Sequence, residues 1–210
     1  MMVSKRGVLL AGAAMLTLAA CNQIPADLQQ VATGAQAPAF SVADATGVVR
    51  TLAEFAGQNV ILEWTNNGCP YVRKHYDAGN MQALQRDAAQ RGWVWLQVIS
   101  SAPGEQGYLD GPGAAARVVQ DEATVTATLL DSEGVMGRAY GALNTPQMVM
   151  INPEGRIVYQ GAIDNRPSAR PETLEGATNY VRAAWADIDA GRPVQVAQTQ
   201  PYGCSVKYAT

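Results

Sequence analysis

The chemistry of this chain concentrates at Cys69. The stretch from Glu63 to His75 reads Glu-Trp-Thr-Asn-Asn-Gly-Cys-Pro-Tyr-Val-Arg-Lys-His. The apolar run Val60-Ile61-Leu62 leads into it as a buried strand. Asn66-Asn67-Gly68 breaks that strand, and Cys69-Pro70 opens a helical pattern, because proline is favoured in a first turn where its missing N–H costs nothing. Cys69 is therefore expected at a helix N-terminus. Unpaired amides and the helix dipole stabilise an anion there, so a thiol in that place reacts as thiolate. Arg73 and Lys74, one turn on, are expected to add positive charge. Asn66 and Asn67 offer hydrogen bonds to a thiolate or substrate, and serve equally well as turn formers. Trp64 reads either as the lining of a substrate groove or as core. Glu63 could accept a proton from behind the thiol, although a charged residue at a strand end more often faces solvent. The competing view of Cys69 itself is a buried, inert cysteine.

Three further residues bear on this centre. His75 is the only histidine. It lies six residues after Cys69, about 600° around a helix, and reads first as solvent-facing or capping, second as a base or ligand. Cys21 ends a leader: Lys5 and Arg6 form a positive start, residues 7–18 are apolar, and Ala19-Ala20 are small. That is a secretory signal over residues 1–20, too short to span a membrane. Leu18-Ala19-Ala20-Cys21 resembles a bacterial lipobox, which implies cleavage before Cys21 and its lipidation. The chain would then be an exported cell-envelope lipoprotein, facing the periplasm in a Gram-negative cell. Cys69 and Cys204 remain as thiols in an oxidising compartment where disulfides persist, and whether they pair is open at this stage.

The rest of the chain must hold these residues. Its 210 residues, 48% hydrophobic and 16% charged, support one good-sized globular domain. The net charge of −3 includes no basic block, which argues against a nucleic-acid partner. Residues 21–36 read as a lipidated tether, residues 37–190 as the domain, and residues 191–210 as a tail carrying Cys204. A hairpin is expected over residues 41–51, turning at Ala45-Thr46-Gly47, then a helical turn to Gly57. Strands follow at 59–64, 93–99, 125–130, 147–151 and 156–161. Helices are expected at 70–90, interrupted at Gly79-Asn80, and at 114–122, 132–140 capped by Asp131, and 171–190. Residues 100–113 read as a long loop. This order is an α/β three-layer sandwich: a central mixed sheet, parallel at its core and extended by an antiparallel hairpin, with helices on both faces.

Three motifs together resemble a thioredoxin-fold redoxin, of the thioredoxin-like and thiol-specific antioxidant (AhpC/TSA-like) group. They are Ala37-Pro38-Ala39-Phe40 ahead of the hairpin with Leu52, Phe55 and Gly57 behind it; the strand leading to Trp64 and Cys69-Pro70; and Tyr140-Gly141-Ala142-Leu143-Asn144-Thr145-Pro146 before a strand and Asn-Pro-Glu-Gly. A bacterial subgroup with an Asn-x-x-Cys-Pro centre and a Gly-Cys-Ser tail is similar at Asn66 to Tyr76 and at Gly203-Cys204-Ser205. The resemblance implies a cis bond between Thr145 and Pro146 facing Cys69. Two departures matter. The second cysteine of a Cys-x-x-Cys motif is Val72 here. The Thr or Ser and the Pro that peroxiredoxins place before their cysteine are Asn66 and Leu62, with Thr65 one residue off.

The implied activity is thiol-disulfide exchange or thiol-dependent peroxide reduction at Cys69, without metal or organic cofactor. Its partners would be a peroxide or a protein thiol or disulfide, with the membrane reached through Cys21. Cys204 would then resolve the oxidised Cys69, or else form a static disulfide with it. A copper-delivery module using Cys69, Cys204 and His75 and an inactive interaction domain are the alternatives. Trp93, Trp95 and Trp185 read as packing residues, and nothing local singles out Arg138 as the cation that peroxidases keep near their cysteine.

Overall fold

The computed structural model describes residues 30–209. The signal segment, Cys21 and most of the tether lie outside them. The first hairpin forms as expected: β1 (Ser41–Ala43) pairs antiparallel with β2 (Val49–Thr51). One carboxylate fixes its reversal. Asp44 Oδ1 accepts from the Thr46 amide at 2.8 Å and the Thr46 hydroxyl at 2.6 Å, while Arg50 Nε meets Oδ2 at 2.9 Å. A 3-10 turn, Leu52–Phe55, follows.

In chain order the remaining elements are β3 (Val60–Trp64), α1 (Pro70–Asp77), α2 (Asn80–Gln90), β4 (Val94–Ile99), α3 (Gly111–Gln120), β5 (Ala127–Leu130), α4 (Val135–Ala139), β6 (Asn144–Thr145), β7 (Gln147–Ile151), β8 (Ile157–Gly161), α5 (Tyr180–Asp189) and β9 (Cys204–Ser205). Five strands form the central sheet in the order β5-β4-β3-β7-β8. β3, β4 and β5 run parallel, and β7 and β8 run antiparallel to their neighbours. All of β3 is buried, because both faces of the sheet are covered. Strand side chains alternate. Val60, Leu62 and Trp64 therefore join Phe40, Phe55, Met136 and Tyr140 on one face, and Ile61 joins Val72, Met81, Leu84 and Trp185 on the other. This is the expected three-layer sandwich with a mixed sheet.

Several boundaries differ, each for a local reason. The interruption expected at Gly79-Asn80 is a complete break, because Gly79 takes φ 70 between α1 and α2. Residues 100–113 are not all loop. Asp110 Oδ1 accepts from the Gly113 amide at 2.8 Å, and α3 starts at Gly111 with Pro112 in its first turn. Asp131 is not the cap of α4, which begins after Gly134; its carboxylate reaches across the turn to the amides of Met136 at 3.0 Å and Gly137 at 2.8 Å. The helix expected over 171–190 is a 3-10 turn, Pro171–Leu174, then α5. Gly176 at φ 65 ends the first piece, and Asn179 caps the second by accepting from the Arg182 amide at 3.0 Å. The tail forms β9, which pairs antiparallel with β6: Thr145 opposite Cys204, Asn144 opposite Ser205.

Candidate active site

β3 ends by handing its ladder to the turn: the Thr65 amide donates to Val98 O at 3.0 Å. Asn66 then closes the turn on itself. Its Oδ1 accepts from the Gly68 amide at 2.9 Å, and its carbonyl accepts from the Cys69 amide at 3.0 Å. Its side-chain amide donates to Gln106 O at 3.1 Å, and Gln106 Nε2 donates back to Gly68 O at 3.1 Å. The loop after β4 is thus tied over the turn, and Gly107, at φ 88, leaves the space that Asn66 fills. Asn66 is a turn former here. Asn67 is half-buried and Pro70 exposed in the first turn of α1. Trp64 lines no groove. It is fully buried, donates to Ser100 Oγ at 3.2 Å and packs on Tyr140.

Cys69 is the N-cap of α1, in extended conformation, with no exposure. Three segments converge on its sulfur. As a thiol it donates to Thr145 O at 3.2 Å, and the Thr145-Pro146 bond beside it is cis. The Cys204 thiol and amide reach it from β9, the Val72 amide from its own helix and the Thr145 hydroxyl from β6. Burial pushes the Cys69 thiol up, but these donors outweigh it and hold it below the usual value. Burial and the neighbouring Cys69 push Cys204 the other way, to about 11. Cys69 is thus the more acidic thiol of the pair and Cys204 the less acidic.

Gly203 makes this approach possible. At φ 130 it lies so close to the strand opposite that a Cβ there would overlap the Thr145 carbonyl. Asn144 Nδ2 donates to Gly203 O at 3.0 Å, the Val206 amide to Leu143 O at 3.0 Å, and the Ala102 amide to Lys207 O at 2.8 Å. Farther along, Arg138 lies over the Tyr208 ring, its guanidinium carbon 4.5 Å from the centre, and donates to Ala209 O at 3.0 Å. It grips the tail.

The other charged residues around α1 are placed differently from expectation. Arg73 donates to Asp121 at 2.8 Å and to Asp77. Lys74 is buried against Asp164. Both cations are matched by carboxylates, so the donors at the sulfur, not these charges, favour its anion. His75 is neither solvent-facing nor a cap. It has no exposure, its Nδ1 lies 2.8 Å from the Asn80 amide nitrogen, and burial lowers it to about 4, leaving it neutral. Among the described residues, no three or more His, Cys, Asp or Glu side chains are grouped to hold a metal ion.

Glu63 also departs from expectation: it is fully buried rather than facing solvent. Tyr76 OH donates to Oε1 at 2.7 Å, and Trp95 Nε1 and Gln85 Nε2 donate to Oε2 at 2.8 and 3.2 Å. Burial outweighs these donors and raises its pKa from 4.5 to about 7. The folded protein thus holds this proton more tightly than the unfolded chain, and stability is lost as pH rises from about 4.5 through about 7. The gap is worth about 3 kcal/mol. Urea unfolding of wild type and Glu63→Gln at pH 4.5 and 8 measures it. The stability of wild type relative to the variant should fall by about 3 kcal/mol between the two; a pH-independent difference would contradict the assignment.

Sequence reasoning singled out Cys69, Cys204, Thr145 and Pro146, and the structure brings them together. It missed Asp164, Tyr202 and the role of Gly203, for which the Gly-Cys-Ser tail was the one available signal.

Solved structures share this fold. A hypothetical protein of Sinorhizobium meliloti 1021 is 26% identical, with a TM-score of 0.75 over 87% of this chain and 97% of that one. An uncharacterized conserved protein of Geobacillus kaustophilus is 23% identical, with a TM-score of 0.72 over 85% and 93%. A putative thioredoxin of Neisseria meningitidis, 20% identical with a TM-score of 0.51 over 73% and 92%, shares the thioredoxin fold. No curated protein matches the sequence. The AhpC/TSA family matches residues 33–160, a stretch that holds both Cys69 and the Thr145-Pro146 loop and stops short of the Cys204 tail, and the chain belongs to that family.

Proposed function

We propose that this protein is an exported, lipid-anchored thiol oxidoreductase that works through a Cys69–Cys204 couple. The carrying observation is the placement of the thiol pair: Cys69 caps α1 with its sulfur against the Thr145 carbonyl beside the cis Thr145-Pro146 bond, and β9 sets Cys204 opposite Thr145, next to it. Cys69 thiolate attacks either a peroxide oxygen or a disulfide sulfur. With a peroxide, the O–O bond breaks, Cys69 becomes a sulfenic acid and an alcohol or water leaves. Cys204 then gives up its proton, attacks the Cys69 sulfur and releases water. With a disulfide, one thiol leaves in the first step and the second leaves when Cys204 attacks. Either way two thiols lose two electrons, and an external dithiol must return them. The sequence signal at residues 1–20 and Cys21 supports the location.

The two oxidant classes are separated by adding one equivalent of hydrogen peroxide or of a small disulfide to the reduced protein and timing thiol loss. Loss of two thiols per equivalent, absent in Cys69→Ser, is expected with at least one of them. No reaction with either would leave an interaction domain. Disulfide is the favoured class, because the hydroxyl three residues before a peroxidatic cysteine is Asn66 here and its side chain is committed to the turn.

A further inference from the structure

The tail is held by more than β9. Two residues before Cys204, the Tyr202 hydroxyl enters a buried ion pair. Lys74 on α1 and Asp164 after β8 stand 3.1 Å apart, their side chains 0% and 1% exposed. Tyr202 OH donates to Asp164 Oδ1 and accepts from Lys74 Nζ at 3.1 Å. Nζ also donates to Arg166 O at 2.9 Å and lies 5.2 Å from the centre of the Tyr202 ring. The ring meets Tyr71 edge-on at 5.9 Å. A buried ion pair holds together only when its remaining donors and acceptors are met, and here a hydroxyl from the tail meets one of each. Lys74 and Tyr71 sit on the helix that Cys69 caps. One short helix therefore carries the reactive sulfur and grips the chain that delivers the second one.

Cys69 has no exposure while Cys204 lies against it. The tail is one of the segments that cover that sulfur, together with the Thr145 loop and the first turn of α1. We propose that Lys74, Asp164 and Tyr202 are a latch: they position Cys204 against Cys69 and set how often the tail opens to admit substrate. The latch rests on the redox reading of the thiol pair. Its members are positioning residues, acting through the tail and not on the reacting atoms.

The test uses the full chain carrying Cys204→Ser, so that Cys69 is the only thiol in the site. Alkylation of Cys69 by iodoacetamide at fixed pH is followed by mass mapping, across low urea concentrations, with and without Tyr202→Phe. The phenyl ring keeps the Tyr71 contact and loses only the hydroxyl. The expected result is a roughly tenfold faster alkylation, equivalent to about 1.4 kcal/mol of easier opening, with a urea dependence well below that of global unfolding. Tyr202→Leu, which also removes the ring, should be at least as fast. An unchanged rate in both variants would overturn the latch. So would an acceleration whose urea dependence equals that of global unfolding, since that marks a purely structural role. If the latch fails while Cys69 and Cys204 still cycle, the redox reading stands. If the two cysteines never bridge in wild type, the redox reading falls, and a faster Tyr202→Phe then marks a mere cover.

Discussion

Cys204→Ser should stop turnover after a single event. Cys69 in that variant still reacts once with its oxidant, because serine keeps a hydroxyl donor beside the thiolate. The product then persists as a sulfenic acid or mixed disulfide, and steady-state turnover with excess reductant falls by about a hundredfold or more. The size follows from proximity. A thiol already in contact with the sulfur it must attack has a large advantage over one arriving from solution. Cys69→Ser should abolish both the first event and turnover. Mass spectrometry of the stalled species checks the first statement, and a coupled thiol assay the second. Full turnover in Cys204→Ser would assign resolution to another thiol and leave the tail as a cover only.

Oxidation should make the protein much harder to unfold. Cys69 and Cys204 are 135 residues apart in sequence. Closing so long a loop removes conformational freedom chiefly from the unfolded chain, worth up to about 5 kcal/mol. For a domain of this size that corresponds to roughly 10–20 °C in Tm. The expected result is a large upward shift in Tm from the reduced to the bridged form, and no shift in Cys204→Ser under the same oxidant. A bridged form no more stable than the reduced one would mean that closing the loop distorts β6, β9 or the start of α1.

The parts of this site that were legible in the sequence are those fixed by neighbours in sequence. Strand, Asn-Asn-Gly and Cys-Pro-helix place Cys69 by local rules alone, and Asn66 Oδ1 finds its donor two residues on, at the Gly68 amide. The parts that were hidden depend on segments far apart. Glu63 looks like a solvent-facing residue until Tyr76, Gln85 and Trp95 bring three donors to it from α1, α2 and β4. Nothing near His75 announces that Asp164, on a different element, will lie 3.9 Å away. Lys74 shows the same limit: its position one turn past Cys69 suggests help for a thiolate, yet its charge is spent on a carboxylate 90 residues later in the chain. The final helix is shorter than its apolar spacing predicts, because that spacing continues through Gly176, where the backbone turns left-handed. The tail was visible as a Gly-Cys-Ser motif, but its pairing with β6 is a tertiary fact. Only contact with the Thr145 carbonyl explains why residue 203 is glycine.

Mapping the cysteines tests the account most directly. The fully reduced protein is given one equivalent of oxidant, quenched by alkylation and digested, and the Cys69 and Cys204 peptides are followed over time. The account predicts that a Cys69–Cys204 disulfide appears, is cleared by a dithiol and forms again when oxidant is added once more. Two thiols that stay free, or a bridge that no dithiol reduces in the folded protein, would contradict it.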